Sequence, residues 1–337
     1  MDCTVKGNLS SEIFEDIKKI ADNRINFQQL KNKTVFVSDC HGLIAYYIIC
    51  TLLEGNDFFE NNTRVITLAK SREDAEKQFG NLTLRKDFVI EIGESKNFPE
   101  IERADFVIYC NCPCEVAEED CNNPEIADTI TSGFANALEY AKESNAESVL
   151  LVSSYMVYGE VFSGKNNICE NDLGYLDPTD ADSAYCPTLG GVRMSDERKW
   201  AKLIVSAAKN QSIMLTDNGG EKFSFCYVTD TVSALIDILL NGKSGEAYNI
   251  SSDNANVTMR EFAQLVKSAN PEKNLSVVFV HKKDEEKPEF SPSSPTPYVL
   301  CNDKIKSLGF SPKTTLKDGI KRSIRATELR AELRRIK

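Results

Sequence analysis

Apolar residues along the chain form short continuous runs that alternate with helically spaced positions. After the run Val35, Phe36 and Val37, for example, apolar residues recur at Ile44, Ile48 and Leu52, which is the spacing of one helix face. The predicted strands are residues 35–37, 64–69, 88–92, 104–110 and 148–153, and the predicted helices between them include residues 72–79 and 124–142. Regular alternation of strands and helices predicts an α/β fold with a parallel, doubly wound sheet.

The flanking regions of the chain add further elements. Residues 10–23 form an amphipathic helix with Ile13, Ile17 and Ala21 on one stripe, and Leu316, Ile320 and Ile324 lie on one face of a C-terminal helix. Pro187 can open one helix, and Asp230 and Thr258 can each cap another. The remaining predictions are helices at 187–209, 231–240, 259–268 and 316–336, strands at 223–228 and 247–250, and a loop at 282–297.

The first predicted strand leads directly into a helix within residues 33–53. A Rossmann-like unit needs glycines at this turn, because the backbone must approach a diphosphate at the helix N-terminus. The three glycine positions hold Asp39, Gly42 and Ala45, so the motif is D-x-x-G-x-x-A. An ionised Asp39 directed at the site would repel a diphosphate by several kcal/mol, on the order of Coulomb's law at intermediate dielectric. As an alternative role, Asp39 could cap the helix that follows and stabilise it by about 1 kcal/mol.

These elements predict three parts of the chain. Residues 1–32 form a helical preface, and residues 33–210 form a Rossmann-like dinucleotide-binding domain. Residues 211–337 complete the sheet and form a small C-terminal α/β substrate lobe. A dinucleotide at the turn would contact Asp39, Gly42 and the first helical residues, which are Leu43, Ile44 and Ala45.

Composition narrows the class of protein. The 337 residues carry a net charge of -11 with a pI near 5.0, which argues against a nucleic-acid partner. The start of the sequence lacks the basic and apolar pattern of a leader, and no apolar run approaches the length of a membrane span. We therefore expect a cytoplasmic protein without a membrane partner. In that setting the eleven cysteines are predicted to be reduced thiols.

Three motifs in order resemble the NAD-dependent epimerase/dehydratase family, the extended short-chain dehydrogenases that act on sugar nucleotides. They are the opening turn, SSYMVYGE at 153–160 and FSFCYVTD at 223–230. The closing GFSPKTTLKDGI at 309–320 is also similar to the last segment of the family. The combination is fairly specific, whereas each motif alone is weak. The resemblance implies a Rossmann-like fold, an NAD or NADP cofactor and a sugar-nucleotide ligand.

The resemblance also implies catalytic positions. The family uses a tyrosine as general base, a lysine four residues later that lowers its pKa, and a Ser or Thr that positions the substrate. Ser154 matches the Ser/Thr position and Tyr185 the tyrosine, but Leu189 stands where the lysine is expected. Aligning on the following helix instead puts Thr188 and Val192 at the two positions. The alternatives are that Ser154 only bonds local backbone and that Tyr185 is a half-buried loop aromatic.

Other family positions have changed as well. Lys70 ends the second strand where an acidic residue would bond the ribose 2′-hydroxyl, which suggests NADP unless Lys70 is simply solvated. Cys110 and Asn111 replace small residues beside the cofactor, and Phe223 replaces the arginine expected to hold the nucleotide phosphate. A family loop between residues 197 and 213 is missing.

A metal site is not predicted. The cysteines at 110, 112, 114 and 121 lack zinc-knuckle spacing, and the chain has only two histidines, His41 and His281. Small buried thiols at a strand end are the better interpretation.

Two interpretations follow. In the first, the protein is an epimerase/dehydratase-like protein of sugar-nucleotide metabolism that is catalytically impaired and acts as a binding or regulatory partner. In the second, it is an active epimerase, dehydratase or decarboxylase that uses Ser154 and Tyr185. Family members resemble one another in dimerising through helices that correspond here to residues 124–142 and 187–209. We therefore expect a homodimer, or a heterodimer with an active relative.

Overall fold

The chain divides into two compact units. The computed structural model describes residues 2–22, 25–110, 124–153, 155–158, 167–172, 188–189, 196, 198–215, 218–220, 222–279 and 299–336. The first unit consists of Met1–Pro113, Asn123–Ser153 and Val232–Glu246, and the second of Cys114–Asn122, Ser154–Thr231 and Ala247–Lys337. Each unit has its own packed interior.

The first unit is built on a five-stranded parallel sheet. Its strands are β1 (Thr34–Val37), β2 (Arg64–Ala69), β3 (Phe88–Ile92), β4 (Phe106–Tyr109) and β5 (Ser148–Leu151). Their order is β3-β2-β1-β4-β5, with Phe36 aligned to Ile66 on one side and to Val107 on the other. The order reverses between β1 and β4, as in a doubly wound sheet. The predicted α/β, Rossmann-like fold class is therefore confirmed.

The helices of the first unit follow from this strand order. They are α1 (Val5–Asn8), α2 (Ser11–Ala21), α3 (Leu43–Phe59), α4 (Arg72–Phe79) and α5 (Pro124–Ser144), with short 3-10 helices at Phe27–Leu30 and Gly80–Leu84. Right-handed crossovers place α3 and α4 on one face of the sheet and α5 on the other. Phe36, Val107 and Tyr109 pack with Ala137 and Ala141 on the α5 side.

Helix α3 is buried on all sides rather than along one stripe. Every residue from Ala45 to Gly55 is buried, because α2 packs on the side of α3 that would otherwise face solvent. Close packing continues at Gly55, where a Cβ atom would meet the Phe27 ring at 2.5 Å. The N-terminal helices therefore form a third layer over the sheet.

The second unit contains paired short strands and packed helices. Its strands are β6 (Asn167–Ile168), β7 (Thr188–Leu189), β8 (Ile213–Leu215), β9 (Lys222–Ser224), β10 (Cys226–Tyr227), β11 (Asn256–Thr258), β12 (Val277–Phe279) and β13 (Val299–Leu300). Its helices are α6 (Lys199–Ala208), α8 (Met259–Ala269), α9 (Asp303–Lys306) and α10 (Leu316–Ile336), with 3-10 helices at Tyr155–Tyr158, Asp253–Ala255 and Pro271–Lys273. Helix α7 (Val228–Asn241) begins in this unit and continues into the first. In the interior, the ring of Phe225 stacks on that of Phe262, with the ring centroids 4.7 Å apart.

The strand pairs of the second unit are β6 with β13, β7 with β10 and β8 with β12, all parallel, and β9 with β11, which is antiparallel. The predicted helix at 187–209 is wrong at Thr188 and Leu189, which are the residues near its start that the structure describes. Thr188 and Leu189 pair with Cys226 and Tyr227, and α6 begins only at Lys199. Pairing with a neighbouring strand overrides the local tendency of this segment to start a helix.

Two further predictions in this unit are wrong and one is confirmed. Residues 247–250 lie outside every strand that the described part of the chain contains. Asp230 lies inside α7 rather than capping it, and its carboxylate accepts N–H bonds from Lys313 and Thr314, each at 3.0 Å. Thr258 caps α8 as predicted and forms a capping box with Glu261. The predicted loop at 282–297 lies outside the described residues.

Among the helices that the structure describes, none combines the length and apolar character needed to cross a membrane.

Glu54 is an acidic side chain inside the first unit. It lies on α3 and is only 7% exposed. Burial raises its pKa to about 7, and Asp57 and Asp22 add to this effect, whereas the positive charges of Lys18 and Arg85 oppose it. Between about pH 4.5 and pH 7, Glu54 is therefore protonated in the folded protein and ionised in the unfolded chain.

We predict that Glu54→Gln stabilises the protein at alkaline pH. A pKa raised by folding makes stability fall as pH rises from about 4.5 to about 7, so the penalty is complete above pH 7 and on the order of 2–3 kcal/mol. In thermal unfolding from pH 5 to 8.5, the melting temperature of the variant should increase relative to that of the native protein as pH rises. Glu60→Gln, at the exposed end of α3, is the control. A constant difference between Glu54→Gln and native protein across this range would contradict the assignment.

Candidate functional site

A cavity of about 240 Å³ lies at the carboxyl ends of β1, β2 and β3, within the first unit. It is lined by Ser38, Asp39, His41, Leu68, Ala69, Lys70, Gly93, Glu94, Ser95, Lys96 and Thr129. In open α/β sheets, ligands bind outside the carboxyl ends of the strands near the point where strand order reverses. The cavity therefore lies where this fold class binds its ligands, although it is smaller than the 300–1,000 Å³ or so of most small-molecule sites.

The turn between β1 and α3 is held by Asp39. Its Oδ1 accepts the backbone N–H of His41 at 3.1 Å, and its Oδ2 accepts the N–H of Gly42 at 2.9 Å. A Cβ atom on Gly42 would lie 3.3 Å from Asp39 Oδ2, so the absence of a side chain keeps this contact uncrowded. The carboxylate thus accepts two backbone N–H groups of the turn that precedes the helix.

The N-cap position of α3 is Gly42, and the predicted capping role of Asp39 is wrong in its detail. An N-cap side chain bonds the N–H of the second or third helical residue. Asp39 instead bonds N–H groups just before the first helical residue, Leu43. Its bonds stabilise the turn that precedes the helix.

The wall of the cavity after β3 is fastened to α5. Asn136 Nδ2 donates to the carbonyl oxygens of Ser95 and Lys96 at 3.0 and 2.7 Å. Tyr109 Oη donates to Thr129 O at 3.0 Å, and the close approach of α5 requires Gly133, where a Cβ atom would meet Tyr109 Oη at 2.4 Å. These bonds fix the positions of the polar residues on this side of the cavity.

Charges of both signs surround the cavity. Lys96 Nζ forms an ion pair with Asp128 at 2.8 Å, whereas Lys70 is an exposed cation at the end of β2. The acidic residues Asp39 and Glu94 line the same cavity. The cavity therefore lacks the uniformly positive lining that favours a highly charged anion.

The structure assembles only part of the predicted cofactor site. Asp39 and Lys70 line the cavity, and Gly42, Leu43, Ile44 and Ala45 continue from it into the first turn of α3. Cys110 is buried at the end of β4, where its N–H donates to Ser38 Oγ at 3.0 Å. Three predicted residues lie outside the described residues: Ser154, Tyr185 and Asn111.

Sequence reasoning missed several lining residues, namely His41, Glu94, Ser95, Lys96 and Thr129. The first follows β1 directly, and Glu94, Ser95 and Lys96 follow the end of β3. Because parallel strands end at the same edge of a sheet, their positions after predicted strands could have placed them here. Thr129 belongs to a helix, and only its bond to Tyr109 reveals its place.

Asp39, Cys40 and His41 also bring a carboxylate, a thiol and an imidazole together, with ligand atoms within 4.8 Å of one another. These donor types suit zinc. Both oxygens of Asp39, however, already accept backbone N–H groups. Of the cysteines weighed as a metal cluster, those at 112, 114 and 121 lie outside the described residues.

Two family motifs supply buried polar contacts in the second unit. Tyr158 Oη donates to Asn249 Oδ1 at 2.6 Å, and Asn249 N–H donates to Glu170 Oε1 at 2.8 Å. Burial raises the pKa of Tyr158 to about 12, so its phenol is neutral at physiological pH. Tyr158 and Asp230 therefore serve as structural residues within these motifs.

In an NAD-dependent protein of this fold class, the turn between β1 and α3 would have to bind the diphosphate of the dinucleotide. A diphosphate at this place would use the N–H groups of the turn and the start of α3. Two of them are already bonded to Asp39, so a phosphate would have to displace a carboxylate and remain beside its charge. As folded here, the turn does not fit a diphosphate.

Comparison with known proteins shows which families this chain is similar to. The model of the NAD-dependent epimerase/dehydratase family matches residues 179–251. Human dTDP-D-glucose 4,6-dehydratase is 29% identical over 137 residues, which cover 40% of this chain and 37% of that protein. The chain thus matches well under half of the first curated relatives. UDP-glucuronic acid decarboxylase 3 of Arabidopsis thaliana is 25% identical over 322 residues, which cover 86% of this chain and 87% of that protein.

Solved structures share the fold along most of the chain. An epimerase from Methanothermobacter thermautotrophicus matches with a TM-score of 0.73 at 19% identity, covering 94% of this chain and 97% of that one. The dTDP-glucose 4,6-dehydratase of Bacillus anthracis, in complex with NAD, matches with a TM-score of 0.67 at 16% identity, covering 89% and 98%. The resemblance that the sequence motifs indicate is thereby confirmed: the chain is similar to NAD-dependent epimerase/dehydratase proteins over part of its length and shares its fold with solved epimerases and dehydratases.

Proposed function

We propose that this chain is a sugar-nucleotide epimerase/dehydratase-like protein that is catalytically impaired and acts in the cytoplasm as a binding or regulatory partner. One observation carries the proposal: the Asp39 carboxylate accepts the N–H groups of His41 and Gly42. In this role the carboxylate takes the place of a cofactor phosphate. A sugar-nucleotide ligand is part of the proposal, through the family alone.

Two energetic costs oppose dinucleotide binding at this turn. A phosphate that reached the turn would first have to break two hydrogen bonds to a charged group, each of about 1.5–3 kcal/mol. It would then lie about 4 Å from a negative charge, at a cost of about 4 kcal/mol at an effective dielectric constant of 20. The bonds that the phosphate itself forms with these N–H groups offset the first cost, whereas the repulsion remains and lowers affinity by about three orders of magnitude.

The sequence adds support at the catalytic positions. No Tyr-x-x-x-Lys follows the motif at 153–160 in either alignment of the segment around Tyr185. Without a neighbouring lysine, a tyrosine stays protonated at neutral pH and is a poor general base.

The alternative function is an active epimerase, dehydratase or decarboxylase. In its favour, the dTDP-glucose dehydratase of Bacillus anthracis binds NAD on the same fold, and Lys70 offers a cation at the place that suits the 2′-phosphate of NADP. Under this alternative, Asp39 would rotate away when the cofactor enters. Ser154 and Tyr185 would then act on the sugar.

We predict that the native protein binds NAD and NADP weakly or not at all. Asp39→Gly combined with Ala45→Gly should raise affinity, since it removes the charge and restores the small residues of the turn. Isothermal titration of both proteins with both dinucleotides measures this. Asp39→Asn is the matched control for charge alone. We expect its dinucleotide affinity to lie between those of the native protein and the double variant. Native affinity in the low micromolar range or tighter would reject the proposed impairment and support the active enzyme.

We predict that Asp39→Ala lowers the free energy of unfolding by about 1 kcal/mol, because two turn N–H groups lose their acceptor. Thermal or urea unfolding of the protein without ligand measures this. Glu76→Ala, on the exposed side of α4, controls for the loss of an acidic side chain. Equal stability of Asp39→Ala and native protein would show that the carboxylate does not hold the turn.

Self-association through α5 is our proposal for the partner. Leu138 on this helix is 46% exposed, and Phe134 is half-buried. By contrast, Trp200, Leu203 and Ile204 on α6 are buried inside the second unit, so α6 offers less apolar surface than its sequence suggested. The partner is a second copy or an active relative.

We predict a dimer at micromolar concentration that Leu138→Glu dissociates, because a buried unpaired charge is costly at an apolar interface. Sedimentation velocity measures the oligomeric state of the native protein and of the variant. Glu139→Gln, next to it on the same helix, should leave the dimer intact. Native protein that stays monomeric and captures no relative would contradict the proposal.

A further inference from the structure

Two cysteines lie side by side in the second unit, directly after the paired strands β6 and β13. In this parallel pair, Asn167 aligns with Val299 and Ile168 with Leu300, so the next residues of the two strands are Cys169 and Cys301. The ladder continues to this position, because the N–H of Cys301 donates to Ile168 O at 2.8 Å. The two thiols lie close enough to interact.

This placement suits a disulfide. Neighbouring strands run about 4.7–4.9 Å apart, and residues aligned across them direct their side chains to the same face. That separation lies within the Cα–Cα range of about 4.4–6.8 Å that a disulfide spans. The backbone therefore needs little movement to join the two sulfur atoms.

The pair is accessible and surrounded by acidic groups. Both cysteines are partly exposed. The thiol of Cys301 donates to Asp303 Oδ2 at 3.5 Å, and the carboxylates of Glu170 and Asp172 lie near Cys169. The hydrogen bond to Cys301, followed by burial, raises the pKa of Cys169 to about 11. Cys169 is thus protonated at neutral pH and a poor first nucleophile, which leaves the first attack to Cys301.

We propose that Cys169 and Cys301 are a redox-modification site, which forms a reversible disulfide by exchange with a small-molecule disulfide such as oxidised glutathione. The proposal is independent of dinucleotide binding, because it concerns another unit of the chain and a different chemistry. Its physical basis is the alignment of two partly exposed thiols across a strand pair.

The exchange proceeds in two balanced steps. Cys301 loses its proton, and its sulfur attacks one sulfur of the small disulfide, whose other half leaves and takes up the proton as a thiol. The sulfur of Cys169 then attacks the Cys301 sulfur of this mixed disulfide, and the second half leaves as a thiol with the proton of Cys169. The two cysteines are oxidised, and the small disulfide is reduced to two thiols.

The disulfide would fasten a ladder that carries buried contacts. Leu300 of β13 packs with Ile168 of β6 and with Tyr158. Its carbonyl oxygen accepts from Ser251 Oγ at 3.1 Å, and its N–H donates to Ser224 Oγ at 3.1 Å. Locking β6 to β13 therefore ties the segment around Tyr158 to the rest of this unit in an oxidant-dependent way.

The test is disulfide mapping of the full chain. The reduced, folded protein is exposed to oxidised glutathione, alkylated and digested without reductant. A glutamate-specific protease cuts after Glu160 and Glu170, and so separates Cys169 from Cys186. We expect a linked pair of peptides containing Cys169 and Cys301, lighter than their reduced sum by two hydrogen atoms and abolished by dithiothreitol.

Variants distinguish this pair from the other cysteines. Cys169→Ser and Cys301→Ser should each abolish the linked peptides, and Cys169→Ser should leave glutathione on Cys301. Cys3→Ser, in the first unit, should leave the link unchanged. The proposal is overturned if native folded protein carries glutathione on either thiol without forming the link, or if both thiols stay reduced.

Discussion

The hydrogen bonds from the Asp39 carboxylate to the turn between β1 and α3 are the constraint on which this account depends. They tie the carboxyl end of the first strand to the start of α3, which is buried from Ala45 to Gly55. A glycine at position 39 would leave these N–H groups free for a ligand, but the Asp39 carboxylate accepts them instead. The same interaction that orders the turn therefore competes with the ligand that the fold class usually binds there.

Surrounding structure keeps this turn in place. Helix α3 is enclosed between the sheet and α2, so its N-terminus has little freedom to move away from the end of β1. The Ser38 hydroxyl accepts from Cys110 and joins the ends of β1 and β4 beside Asp39. Burial of α3 supplies the stability of this region, whereas the polar groups at its start set what the site can bind. Fold and function can therefore change separately in this chain.

Hydrophobic periodicity was sufficient to predict the central sheet and not the second unit. The strands β1, β2 and β4 are mostly apolar and buried because both faces of a parallel sheet are covered there, and such runs are visible in the sequence. The edge strands β3 and β5 are also rich in apolar residues, although Ile92, Val149 and Leu151 are exposed. Helix α8 was predictable for a local reason, since Thr258 and Glu261 form a capping box within one turn. Thr188 and Leu189, by contrast, form a strand only because Cys226 and Tyr227 lie beside them. Asp230 accepts N–H bonds from residues about 80 positions away, which no local pattern shows. At the cavity, Asp39 and Lys70 were predicted from the turn and strand-end positions, whereas Thr129 depends on how α5 packs.

The most direct test of the account follows the backbone amides of His41 and Gly42 by NMR in isotope-labelled protein as NAD is added to millimolar concentration. If Asp39 occupies these donors, their resonances stay unchanged in the native protein and shift in the Asp39→Gly, Ala45→Gly variant. Saturable shifts of both amides in the native protein, at NAD concentrations well below millimolar, would contradict the account.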